Sequence, residues 1–479
     1  MPGGLAWLGL VLMLAAAWYS PVIALWGAAL LVAYVAVRFA LAVVAILRGL
    51  RLIARWERID WAAEYARRAT AASLPLEAVQ HVVIIPNYRE PLDMLRHTLD
   101  QLARQASTRR AMTVVLAIEA SEPGAVAKGA ALQAEYGDHF KHLFVVTHPA
   151  GMEGEMQCKS ANQAWAGRWV KRTLVDGMGY PLDHLLITTM DADTVWHPAY
   201  FEALAVHFAT DPQRYATYYQ APMRYHGNTW SIPPVLRLLH AQATAWELAY
   251  LAAPWWFALP MSSYSISLRL LDAAGYWDPN VIADEWHMFI KSFFQRGGRV
   301  RLQPLFLPFL AHAISGSTLW GALRERYLQT LRHAWGAKEI GYTLTQLRQH
   351  GRTPGGLTLL WRVAHDNLLG GFGWFVGMVG AQLPAMLHPE LLHQSDALQP
   401  LLLLQVAGLG VTLLTAIIWA LDFAVRPRPR TGRALLTELV ALPLLGMLTL
   451  GCVALPVLHA QTRLMLGMPL HFRVARKQP

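Results

Sequence analysis

The sequence predicts an α/β unit with a largely parallel sheet, inserted between membrane-spanning α-helices at both ends. Three observations carry this. Apolar residues make up 54% of the 479-residue chain and charged residues only 15%, and the apolar excess collects near the two ends. From His81 onward, short β-branched runs alternate with helix-length segments, the pattern of a sheet covered on both faces. One such run, residues 184–190, stops abruptly at Asp191-Ala-Asp193, and open α/β sheets bind ligands where their strands end.

Residues 5–19 and 22–47 are almost wholly apolar and are broken at Ser20-Pro21. The second run is ample for a bilayer and no basic n-region precedes the first, so a transmembrane hairpin over 1–47 is expected rather than a cleaved signal peptide. Arg48, Arg51, Arg55 and Arg58 follow, which puts the next segment on the cytoplasmic side of a cell membrane. Arg, Trp and Leu at helical spacing predict an amphipathic linker over 48–78. The α/β unit is expected over 79–316, with strands at 81–85, 112–118, 143–147 and 184–190 and helices at 91–105 and 159–170. Residues 232–256 and 317–356 are amphipathic and carry Trp and Arg, as helices at the bilayer interface do. Within 357–459, crossings are expected at 368–387, 401–425 and 434–458. The 388–400 loop has no Lys or Arg and is expected outside; the 426–433 loop and the basic tail, 460–479, are expected inside. Three crossings from a cytoplasmic start would leave that tail outside, so charge and count conflict, and a re-entrant segment would reconcile them.

The formal net charge is +10, and no basic repeat or nucleic-acid motif accompanies it, so membrane lipids rather than nucleic acid account for the charge. Cys158 and Cys452, the two cysteines, lie in unlike contexts, one polar and one apolar, which argues against a disulfide or a zinc site. No Gly-x-x-x-x-Gly-Lys-Ser/Thr run occurs, which excludes a P-loop. Asp191 and Asp193 share one side of an extended chain, and hard oxygen ligands at a strand end suit Mg²⁺ or Mn²⁺ holding a diphosphate. A bare Asp-x-Asp equally suits a solvated turn.

Further motifs follow in order: VVIIPNYRE from Val82, VVLAIEASE from Val114, HPAGMEGEMQCKSAN from His148, YYQAPMRYHGN from Tyr218, and Ile282-Ala-Asp284-Glu285-Trp286-His287. Together with Asp191-Ala-Asp193 this series resembles the membrane-bound family 2 glycosyltransferases, the group of cellulose and hyaluronan synthases, over about residues 82–342. The resemblance implies a GT-A (Rossmann-like) fold and an inverting transfer from a nucleotide-diphosphate sugar to a growing polysaccharide, with the membrane helices as a possible export path. It implies Mg²⁺ or Mn²⁺ on Asp193 and Asp191. Glu119 stands where the family has paired aspartates facing the nucleotide, and Lys159 and Asn162 match its Lys-x-x-Asn segment on the diphosphate and sugar. Gln220 would approach the acceptor.

The family's acidic pair carries the general base, and here the two acids come in the opposite order, so the base by position is Glu285, with Asp284 as the fallback. Gln329-Thr-Leu-Arg332-His-Ala-Trp335 resembles the Gln-x-x-Arg-Trp motif with one extra residue before the Trp. Arg332 would then contact the diphosphate, and Trp335 and Trp286 would stack on acceptor sugars. Two other readings stay open: transfer of a single sugar to a lipid-linked acceptor such as a polyprenyl phosphate or diacylglycerol, and a non-catalytic nucleotide-binding transporter or receptor.

Overall fold

The computed structural model describes residues 2–105, 111–316, 318–428 and 430–468; most of the basic tail lies outside the described residues. At its centre is a seven-stranded sheet in the order β3-β2-β1-β4-β7-β5-β8. The strands are β1 (Gln80–Asn87), β2 (Met112–Glu119), β3 (His142–His148), β4 (Leu185–Thr189), β5 (Thr217–Gln220), β7 (Tyr264–Ser267) and β8 (Arg301–Pro304). Strands β1 to β4 run parallel; β7 is antiparallel to both β4 and β5. Two short strands, β6 (Met223–Arg224) and β9 (Phe309–Leu310), pair beside it. The predicted strands are all present, each within two residues of its expected ends.

Period-2 alternation sorts the core. Val82 and Ile84 of β1 face one cluster with Ala164, Trp277 and Phe289, while Val83 and Ile85 face another with Leu95, Phe201 and Leu204. The sheet is thus buried on both faces, as a parallel sheet must be. Because β1 to β4 are parallel, Asn87, Glu119, His148 and the chain leaving Thr189 all emerge at one edge.

Among the described residues, four helical stretches are long and apolar enough to cross a membrane: Pro2–Tyr19, Pro21–Trp56, Ser395–Val425 and Gly432–Met465. The second, at 36 residues, is about 54 Å long against a hydrocarbon core of about 30 Å. It therefore absorbs the first part of the expected linker, and Trp56 at its end stacks on His207 of the α/β unit at 5.0 Å. The expected crossing at 368–387 is not one of the four. It breaks into π turns at Leu369–Gly373 and Val376–Gly380 and a short helix, Leu383–Leu387. Close packing explains the glycines there: a Cβ on Gly380 would overlap the Met13 sulfur, and one on Gly371 would press on Val457. The broken path still leads from Asn367 near the sheet to His388, which meets the Trp18 carbonyl at the far turn of the first two helices.

The expected crossing at 434–458 behaves differently. Glu438 meets Arg237 near its start and Gln461 donates to the Asn367 carbonyl near its end (2.7 Å). Leu445 and Cys452 in between pack with Ile232, Leu236, Ala313 and Ala322. The stretch is one of the four long and apolar enough to cross, and toward its end Leu458 packs with Ala6 and Leu10 of the first apolar helix.

A buried charge cluster fastens the two parts. Glu438 accepts from Arg237 (2.6 Å), Arg426 (2.8 Å) and Trp419 (2.8 Å), and Asp422 joins Arg426 (2.7 Å) to His226 (2.9 Å). Glu438→Ala would leave two buried guanidiniums short of a carboxylate, at a cost of about 3–5 kcal/mol. A sharp drop in the thermal midpoint of the detergent-solubilised protein is the expected result.

Candidate active site

The strand ends open into a cavity of about 1000 Å³. It is lined by Glu119, Lys159, Asn162, Asp191, Asp193, Asp284, Glu285, Trp286 and Arg332, so nine of the residues expected at the site share one space. Local structure explains why. Lys159 and Asn162 sit in the first turn of the helix Lys159–Val170, and Asp284 and Glu285 open the helix Asp284–Gln295. Arg332 comes from the last turn of the helix Leu319–His333.

Lys159 is the hub. Its Nζ lies 2.7 Å from Asp191 Oδ1 and 3.5 Å from Glu285 Oε1, and donates to the Ser262 carbonyl at 3.0 Å. Burial works against its charge, but Asp191, Glu285 and Asp284 outweigh burial and hold its pKa above the ordinary lysine value. Asn162 donates to the Ala117 carbonyl (2.7 Å), and its Oδ1 is buried without a partner.

The two acids of the second helix differ sharply. Asp284 is 3% exposed, and burial, reinforced by the Glu285 charge, pushes its carboxyl well above the carboxylate range. Glu285 keeps a side chain 21% exposed to the cavity and beside Lys159. A neutral, enclosed acid is a poor base, so the geometry favours Glu285.

Asp193 is almost fully buried. Its Oδ2 accepts from the His312 backbone (2.9 Å) and lies 3.6 Å from His312 Nδ1, a buried nitrogen with no hydrogen-bond partner. Among the described residues no group of three His, Cys, Asp or Glu side chains converges as a complete metal cage. Asp191 and Asp193 both line the cavity, so any cation held there would draw most of its ligands from a diphosphate and water. Sequence reasoning missed His312, whose only signal is a polar residue just beyond β9.

Glu119 is tied down. Both its oxygens meet His148 Nδ1 (3.0 and 3.1 Å), and His148 Nε2 meets Glu155 at 2.8 Å. Burial pulls the imidazole pKa down, but the bonds to Glu119 and Glu155 outweigh it, and the net shift is upward. The clamp is therefore complete below the ordinary histidine range and lost as pH rises through the raised value. His148→Leu is expected to raise the donor KM about tenfold with little change in kcat, and to abolish the alkaline rise in KM expected of the wild type. A pH series of donor KM for both proteins checks this.

Two expected residues stand outside the lining. Gln220 is wholly buried: Nε2 donates to the Ala221 and Ser263 carbonyls (2.8 and 3.0 Å) and Oε1 accepts from the Met261 backbone (2.9 Å). It pins the loop from which Ser262 donates to Asp191 (2.6 Å). Trp335 packs with Leu328, Leu331 and Val457. Arg332 lines the cavity and Trp335 does not. Glu122, near Glu119, holds the first-strand turn through the Arg89 backbone (2.7 Å) and Lys128. Cys158 packs under the site, and burial pushes its thiol pKa up, so it is no nucleophile.

The model of glycosyl transferase family group 2 matches residues 186–425, half of the chain. The chain belongs to that family. It is a glycosyltransferase with the expected α/β sheet. Among solved structures, this glycosyltransferase is similar to the mannosyltransferase PcManGT of Pyrobaculum calidifontis, solved with GDP-Man and Mn²⁺. The two are 16% identical over 86% of this chain and 99% of that one, at TM-score 0.45. It is also similar to TarS of S. aureus, residues 1–349, solved with UDP-GlcNAc: 12% identity, 81% and 93% coverage, TM-score 0.35. None of the curated proteins matches.

Proposed function

We propose that this glycosyltransferase moves a sugar, with inversion, from a nucleoside-diphosphate sugar to an acceptor hydroxyl at the membrane surface. The observation that carries the proposal is the Asp191–Lys159–Glu285 line, 2.7 and 3.5 Å, within one cavity. Lys159 and Arg332 hold the diphosphate as cations, Glu119 faces the nucleoside, and Asn162 reaches the diphosphate-sugar end. Glu285 takes the proton from the acceptor hydroxyl as that oxygen bonds to the anomeric carbon and the diphosphate leaves. Asp284 stays protonated and shapes the helix start. Mg²⁺ or Mn²⁺, held by Asp193 and Asp191, would supply counter-charge to the leaving diphosphate. The membrane helices flank the catalytic unit, which faces the cytoplasm where its nucleotide-sugar donor is made.

A growing polysaccharide, exported through the membrane helices, is the acceptor in the first reading. A lipid-linked acceptor receiving one sugar is the second. Radiolabelled donor supplied to vesicles separates them. Label in a chloroform-insoluble polymer supports the first and label in extractable lipid the second; unlabelled products with every common donor would refute both.

A further inference from the structure

The membrane-side wall of the cavity has a polar character that donor binding does not use. Glu247 is the sole carboxylate of the helix Pro234–Ala252, and it lines the cavity with Tyr225, Gln329 and Asn367. These side chains arrive from three helices and from the exit of β6, not from the strand ends that serve the donor. Glu247 Oε2 is buried with no hydrogen-bond partner. Burial pushes its carboxyl well above the usual range, against a weaker opposing pull from Arg326, so it is a neutral acid that both donates and accepts. Arg326 engages Gln329 Oε1 at 2.9 Å, which leaves the Gln329 amide nitrogen to donate. Asn367 Nδ2 is used on the Val363 carbonyl (2.8 Å), which turns its Oδ1 into the acceptor of the set. Tyr225 is held on the Glu247 helix by its backbone N–H to Thr244 (3.2 Å) and by its ring against His240.

An unpartnered buried acid costs free energy unless a ligand completes it. A neutral acid, an amide donor and an amide acceptor match the alternating donors and acceptors of sugar hydroxyls and supply no counter-charge to a phosphate. We infer that Glu247, Gln329 and Asn367 form the subsite for the acceptor's terminal sugar, so that the acceptor is a saccharide rather than a bare lipid phosphate. This rests on the donor reading above and names its substrate class. The sugar belongs either to a free glycan or to a glycolipid headgroup.

The test uses the full chain in phosphatidylglycerol vesicles with UDP-glucose, UDP-N-acetylglucosamine or GDP-mannose. The acceptors are a glucose tetrasaccharide, a glucosyl-diacylglycerol and undecaprenyl phosphate. Transfer to the tetrasaccharide marks a glycan source, and transfer to the glucosyl lipid marks a headgroup. Glu247→Leu is expected to raise the acceptor KM about tenfold or more, with donor KM and acceptor-free nucleoside diphosphate release unchanged, while Glu247→Gln stays within about threefold of wild type. Transfer to undecaprenyl phosphate alone, or diphosphate release with no label on either saccharide, overturns the subsite and leaves the donor reading intact. So does an acceptor KM unmoved in Glu247→Leu when the protein is merely less stable. No diphosphate release by the wild type from any donor overturns the donor reading, and the subsite with it.

Discussion

Glu285→Gln should bind the donor as wild type does and lose transfer by about 10²- to 10⁴-fold, the range a positioned base contributes. Gln is nearly isosteric, so the helix start and the space around Lys159 persist, and only the proton acceptor is removed. Asp284→Asn makes the contrast. Asp284 is enclosed and its carboxyl is held in the neutral form by burial and by Glu285, so an amide there replaces an acid that already carries its proton. Its transfer rate should stay within about tenfold of wild type. Donor titration followed by single-turnover transfer for both variants checks the pair. The reverse pattern would make Asp284 the base and Glu285 its neighbour.

Asp193→Ala should abolish turnover, by at least about 10³-fold, because the leaving diphosphate loses its counter-charge in a water-poor site. Two effects combine. The His312 backbone N–H loses its 2.9 Å acceptor, and the cation loses one of its two expected carboxylates. The variant should also lack, in calorimetry, the metal-dependent gain in donor affinity expected of the wild type. Near-normal rates would dismiss the assignment of Asp193 to the cation.

Much of this was legible because the chemistry sits at strand ends. The run into Asp191 and Asp193 is a buried strand stopped by charge, and a parallel sheet then brings Glu119 and the helix of Lys159 to the same edge. Where sequence reasoning failed, tertiary packing had decided. Gln220 has the composition of a ligand-binding amide, but three backbone groups of neighbouring loops satisfy it first. Trp335 packs with Leu328, Leu331 and Val457 instead of lining the cavity. The segment at 434–458 has the length and apolarity of a crossing, and the pairing of its Glu438 with Arg237 of the catalytic unit was not legible in the sequence. Glu247 was the missed signal that the sequence did carry, one acid in an otherwise uncharged helical stretch after Arg237. His312 carried almost none, since its role depends on β9 lying beside the chain after Asp193.

The helices Ala125–Tyr136 and Tyr200–Thr210 also went unpredicted. The first begins at a left-handed glycine, Gly124, rather than at a side-chain cap. The second is apolar nearly all round because it is buried, so no amphipathic stripe announces it.

The anomeric configuration of the transferred sugar, read by NMR on product made from an α-linked nucleoside-diphosphate donor, tests the arrangement around Glu285 most directly. One accessible carboxylate acting as a base in a single displacement predicts a β-linked product. An α-linked product would require a second displacement at the anomeric carbon, and would contradict Glu285 as the base.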